Sequence, residues 1–176
     1  MRLLLVRHPR PDIHPGLCYG RSDIATTSEE VQRVVATLPA GWPTWTSPLT
    51  RCASLARALD PPRLQVDPRL AEMDFGAWEL RSWDDIARAE VDAWAADLLH
   101  YRPGGGESVL DVARRVAAFR DDLYSAGHDR ALVICHAGTI RLLRALDTGL
   151  PLEAAALEAA RTPHRIAYGE ILALGD

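Results

Sequence analysis

The sequence predicts an α/β protein with a mostly parallel central sheet between helical layers. Three observations point there. Two short apolar runs, Leu3–Val6 and Ala131–Cys135, are bounded by turn signals and read as buried strands. Two shorter β-prone segments lie between them, at 44–46 and 63–66. Segments with helical periodicity separate all of these, and strands alternating with helices favour parallel pairing.

The first strand ends in Arg7-His8, and Pro9 and Pro11 then forbid regular structure. The ends of such strands are where open α/β sheets bind ligands. Residues 12–26, punctuated by Pro15, Gly16 and Gly20, read as a loop at the mouth of a pocket, with His14 solvated. Thr27-Ser28-Glu29-Glu30 starts a helix whose acids face the positive end of the dipole. Val31, Val34, Val35 and Leu38 give it a buried face, and Pro39 and Gly41 end it.

The segment 44–46 delivers Ser47-Pro48-Leu49-Thr50-Arg51 into a helix running to about Leu59. A cation in a first helical turn opposes the dipole. A bound phosphate would resolve the conflict, and so would simple exposure of Arg51. After the strand at 63–66 come three carboxylates in eight residues, Glu72, Asp74 and Glu79, among Phe75 and Trp78. Apolar surroundings raise a carboxyl pKa, as a general acid requires. Spacing does not choose among the three.

Trp83, Ile86, Ala87, Val91, Trp94 and Leu98 mark one amphipathic helix, which Arg102–Glu107 ends. Ser108 caps the next helix, with Asp111 at its third position, and Gly127 closes it. His100 and His128 fall at helix ends, where solvated or dipole-stabilised histidines are the default. The second strand motif is ALVICHAGT, with His136 at its end and a helix over 139–146. Pro151 begins an alanine-rich helix, and 165–174 hold one or two terminal strands with Gly169 at a turn.

The 176 residues fit one domain that buries roughly 70% of its unfolded surface without a disulfide or metal staple. A net charge of −4 argues against general nucleic-acid binding, so an anionic substrate needs a locally basic pocket. Cys18, Cys52 and Cys135 lack metal-ligand spacing and read as reduced, buried thiols of a cytoplasmic protein. The first apolar run is too short for a secretory signal, and no run is long enough to span a bilayer. A homodimer is the default expectation for oligomeric state.

Five blocks in order are Arg7-His8; Ser47–Arg51; Leu70-Ala71-Glu72 with Phe75-Gly76 and Trp78-Glu79; Gly105–Ser108; and Val133–Gly138. Together they resemble the histidine phosphatase (phosphoglycerate mutase-like) superfamily over nearly the whole chain. The short length and the loop GLCYGRSD look like its α-ribazole phosphatase branch, which acts in cobalamin assembly. The resemblance implies a three-layer α/β/α sandwich, here a single domain over 1–176 with a small cap-like insertion around 79–106. It implies a phosphomonoesterase acting on a small phosphorylated substrate through a covalent phosphohistidine, with no metal and no cofactor. His8 would be the nucleophile, Arg7, Arg51 and His136 would hold the phosphoryl oxygens, and Glu72 would protonate the leaving alcohol. Tyr19, Gly20 and Arg21 of the loop, with Ala137 and Gly138, would line the substrate site.

Two positions depart from the pattern. Pro9 stands where the family usually has glycine and offers no N–H to a phosphate. Leu55 stands where it often has threonine. The expected consequence is altered substrate preference with activity retained. A mutase, or a phosphate-binding module without catalysis, are the alternatives on the same fold. Trp78, Trp83 and Trp94 are expected to be mostly core, the alternative being a stacking surface for a planar base.

Overall fold

The computed structural model describes residues 1–163 and 165–175. Five strands form one sheet: β1 (Arg2–Arg7), β2 (Thr44–Thr46), β3 (Leu64–Val66), β4 (Arg130–Cys135) and β5 (Ile171–Leu174). Their order is β3-β2-β4-β1-β5, and only β5 runs antiparallel, against β1. β1 and β4 occupy adjacent, inner positions, which is why they are the apolar runs.

Alternate residues of these two strands face opposite layers. Leu3, Leu5, Ala131, Val133 and Cys135 pack with α4 (Val109–Ser125), α5 (Ala137–Asp147) and α6 (Leu152–Arg161). Leu4, Val6, Leu132 and Ile134 pack on the other face with α1 (Ser28–Val35) and α2 (Thr50–Ala58). Leu55, at the position where threonine was the family pattern, is fully buried in this second cluster. A hydroxyl there would lack the apolar contacts that hold α2 to the sheet.

Helix ends follow the expected chemistry. Thr27 accepts from the Glu30 N–H at the start of α1, and Ser108 and Asp111 form a reciprocal capping box on α4. Gly127 and Gly169 adopt positive φ, as the turns after α4 and before β5 require. α5 starts at Ala137, two residues earlier than expected, so that His136 is itself the residue capping the helix.

The long helix expected over Trp83–Leu98 is not one helix. Trp83–Asp85 is a separate 3-10 turn capped by Ser82, and Ile86 and Ala87 are extended before α3 (Arg88–Ala96) begins. Of the apolar residues that suggested it, only Ile86 is fully buried, in a small cluster with Cys18 and Trp78. The apolar spacing reflects packing against Cys18 and Trp78 and around a cavity, not one continuous helical face. Of the one or two strands expected over 165–174, only β5 forms.

His14 and His100 are exposed, and His100 pairs with Asp97. His128 instead sets its ring against the edge of Trp45, 5.0 Å away. All three cysteines are unpaired and buried. Among the described residues no helix is long and apolar enough to cross a membrane.

Candidate active site

The parallel pairing of β1 with β4 aligns Arg7 with Cys135. His8 and His136, each one residue further on, therefore emerge side by side at the same sheet edge. The His8 N–H donates to the Cys135 carbonyl at 3.0 Å, and the two rings lie 5.1 Å apart. Both histidines are buried.

The His8 ring is oriented by its neighbour. Nδ1 lies 2.7 Å from the Pro9 carbonyl. A carbonyl only accepts, so Nδ1 carries the proton and Nε2 keeps a lone pair. Burial, together with the nearby Arg51 and Arg7 charges, pushes the His8 pKa down to about 3, against the opposing pull of the Pro9 bond. The imidazole is neutral at ordinary pH. His136 is shifted the same way, by burial first and then by His8 and Arg51. Its Nε2 meets the Ser47 hydroxyl at 2.8 Å, with the Cys52 thiol 3.5 Å away.

Arg51 does occupy the first turn of α2, and it is not exposed: its side chain is 0% accessible. It donates to the Ser22 carbonyl at 2.7 Å and the Gly20 carbonyl at 2.5 Å. Arg7 donates to the Ile166 carbonyl at 2.5 Å. In both, the buried Nε has no partner, and neither guanidinium forms an ion pair among the described residues. A buried and a half-buried cation, each with an unused Nε donor, beside a neutral imidazole make an anion site.

Glu72 follows a 3-10 turn at Pro68–Leu70. Its carboxylate accepts from its own neighbour, the Met73 N–H, at 3.0 Å and from the Gly138 N–H at the start of α5 at 3.1 Å. Arg115 of α4 braces the backbone here, donating to the carbonyls of Arg69, Ala71 and Glu72. Glu107 in turn pairs with Arg115 at 2.9 Å.

The loop over 12–26 is fixed by a residue whose role the sequence did not reveal. The Glu79 carboxylate accepts from the N–H groups of Gly20, Arg21, Ser22 and Phe75 and from the Ser22 hydroxyl. Burial alone would raise its pKa, but these bonds overcome it and hold the carboxyl below its usual range. The expectation of raised pKa values along this acidic run thus fails at Glu79, because the apolar neighbours arrive together with backbone donors. Asp23, also unanticipated, caps α2 by accepting from the Thr50 N–H and hydroxyl at 2.6 and 2.7 Å.

His8, Arg7, Arg51, His136 and Glu72 all line one cavity of about 350 Å³. Tyr19, Ala137 and Gly138 line it as well. Gly20 does not; it holds Arg51 through its carbonyl, and any Cβ there would fall 1.9 Å from the Met73 carbonyl. Arg21 also lies outside, exposed and 4.0 Å from Asp74, because the Glu79 clamp turns its backbone inward and its side chain out. The rest of the wall is apolar, with Phe75, Trp83, Trp94 and Leu98, except for a third guanidinium, Arg141, which donates to the Ala159 and Ala160 carbonyls. Trp78 is fully buried, whereas Trp83 is 40% exposed and its ring is parallel to that of Trp94 within 6°. The three tryptophans thus divide between core and cavity wall. Among the described residues, no group of three or more histidines, cysteines or carboxylates could hold a metal ion.

The family model of the histidine phosphatase superfamily (branch 1) matches residues 3–162. An adenosylcobalamin/alpha-ribazole phosphatase of Escherichia coli is 32% identical over 170 residues, 88% of this chain and 82% of that protein. The alpha-ribazole phosphatase of Shigella flexneri superposes with a TM-score of 0.82 at 28% identity, covering 98% of this chain and 89% of that one. A mycobacterial glucosyl-3-phosphoglycerate phosphatase superposes with a TM-score of 0.73 at 25% identity, over 89% and 83%. The two strand-end histidines and the guanidiniums around them sit within the matched region, and the chain belongs to the histidine phosphatase superfamily as a phosphoric monoester hydrolase.

Proposed function

We propose that the chain hydrolyses a small phosphate monoester by way of a phosphohistidine at His8, with α-ribazole 5'-phosphate as the substrate. The observation that carries this reading is the tethered His8 ring, its Nε2 lone pair free beside two unpaired guanidiniums.

Phosphoryl transfer is mostly positioning and charge stabilisation. Arg7 and Arg51 present forked, permanently charged donors to the phosphoryl oxygens, and His136 adds a ring N–H. The His8 Nε2–phosphorus bond forms as the ester oxygen–phosphorus bond breaks. Glu72 gives its proton to the departing alkoxide. In the second step water attacks phosphorus, Glu72 takes back a proton, and inorganic phosphate leaves with the His8 lone pair restored. Pro9 contributes no N–H to the phosphate, yet its carbonyl sets the tautomer that this chemistry needs.

The aromatic part of the wall, Phe75, Trp83 and Trp94, favours a leaving alcohol with a planar body. In this reading the chain is one domain, and 79–106 is the small cap that supplies Trp83, Trp94 and Leu98 to that wall. His8→Ala is expected to abolish both turnover and the acid-labile phosphoenzyme; unchanged hydrolysis would refute the nucleophile. A panel of phosphate esters ranked by kcat/KM, with free phosphate measured against isomerised phosphoglycerate, tests substrate and reaction together. The substrate assignment fails if α-ribazole 5'-phosphate is not clearly preferred.

A further inference from the structure

A residue outside the five sequence blocks reaches the reacting groups. Tyr168 lies between α6 and β5 and is followed by Gly169, whose N–H donates to the Arg7 carbonyl at 3.0 Å. That bond ties residue 168 to the end of β1. The Tyr168 ring lies over the Arg7 guanidinium, 3.8 Å from Cζ to ring centre, and 5.6 Å from the His8 ring. Its hydroxyl is 2.9 Å from that of Tyr19, and the Tyr19 ring lies 5.4 Å from Cζ of Arg51. Two tyrosines, each against one phosphate-site guanidinium, are thus joined at their hydroxyls.

A hydroxyl pair uses one proton, and the accepting hydroxyl keeps its own. Tyr19 lines the cavity, and its hydroxyl has no other hydrogen-bond partner among the described residues. Burial keeps that hydroxyl protonated well beyond neutral pH. With Tyr168 donating to Tyr19, the remaining proton is available to an acceptor in the cavity, and a phosphoryl oxygen only accepts.

We propose that Tyr168 is a positioning residue for the phosphate site, holding Arg7 with its ring and Tyr19 with its hydroxyl, so that the Tyr19 hydroxyl donates to the substrate's phosphoryl group. This rests on the phosphoryl group occupying the site between Arg7 and Arg51.

The test is calorimetric binding of inorganic phosphate to the wild type, Tyr168→Phe, Tyr19→Phe and the double variant, alongside kcat and KM for p-nitrophenyl phosphate. Phe at 168 keeps the ring over Arg7 and should weaken phosphate binding about threefold, the scale of one neutral hydrogen bond. Phe at 19 loses both bonds and should weaken it about tenfold. The double variant should match Tyr19→Phe alone, since the same chain is broken in both. Tyr168→Ala also removes the cation–π contact and should weaken binding further, with Phe rescuing part of the loss. An effect of the double variant equal to the product of the singles overturns the proposal. So does a lowered melting temperature in Tyr168→Phe with phosphate affinity and KM unchanged. The calorimetry needs no turnover, so it stands or falls separately from the assignment of His8 as nucleophile.

Discussion

Gly138→Ala should separate stability from catalysis. Gly138 is the second residue of α5, in ordinary helical backbone, where alanine is favoured over glycine by up to about 1 kcal/mol. A Cβ built there falls 2.5 Å from Oε1 of Glu72, whereas ordinary contact begins at 3.4 Å. The carboxylate must retreat by about 0.9 Å, the difference between those two distances, and it can, because it is the end of a flexible side chain. The fold should therefore stay as stable as the wild type or gain slightly, by urea denaturation. The proposed acid, displaced by nearly 1 Å, should lose on the order of 10²-fold in rate. Single-turnover formation of the phosphoenzyme reads this directly. An alkyl phosphate needs its leaving oxygen protonated and should show the full loss, while p-nitrophenyl phosphate, with a good leaving group, should show much less in this step. Wild-type phosphorylation from the alkyl ester would refute Glu72 as the acid.

Three further expectations concern the surroundings of the site. The His8 pKa lies near 3 when folded and near 6.5 when unfolded, so the unfolded chain binds the proton better. The stability it contributes is complete above pH 6.5 and drains away toward pH 3, at up to about 1.4 kcal/mol per pH unit. Urea midpoints between pH 5 and 6.5 should fall less steeply in His8→Gln, and parallel curves would contradict the assignment. Gly20→Ala sets a methyl 1.9 Å from a backbone carbonyl that cannot yield, so it should cost about 1–3 kcal/mol by urea denaturation and weaken phosphate binding as Arg51 loses its carbonyl partner. Glu79→Gln replaces an acceptor-only group with one that carries donors facing backbone N–H groups. Trypsin should then cut faster after Arg21 and KM should rise several-fold; wild-type proteolysis would show that the clamp is dispensable.

The phosphoryl end of the site was legible because its histidines terminate apolar strands between turn signals, and a strand end fixes where the next side chain emerges. Arg51 was legible as an electrostatic misfit in a helix start. The order of the strands was not: β1 is followed in sequence by β2 but paired with β4 and β5, and no local pattern encodes those crossovers. Glu79, Asp23, Arg115 and Tyr168 were illegible as site supports for a related reason. Each acts through contacts across long sequence separations, such as the 57 positions between Ser22 and Glu79, and a lone polar residue carries no mark of which backbone it will meet. The segment 83–98 misled because its apolar residues divide between a cavity wall, with Trp83, Trp94 and Leu98, and a small buried cluster, with Ile86 and Val91.

The sheet order also bears on how such an enzyme could change its diet. His8, the proposed nucleophile, and His136 directly follow neighbouring inner strands, whose spacing is set by backbone pairing and tolerates almost no adjustment. Trp83 and Trp94 of the aromatic wall, by contrast, stand on a short turn and a helix with no fully buried residue. Selection or engineering for new esters can therefore change Trp83, Trp94 and Leu98, keeping Ile86 in its buried cluster, while the bond-breaking apparatus stays untouched.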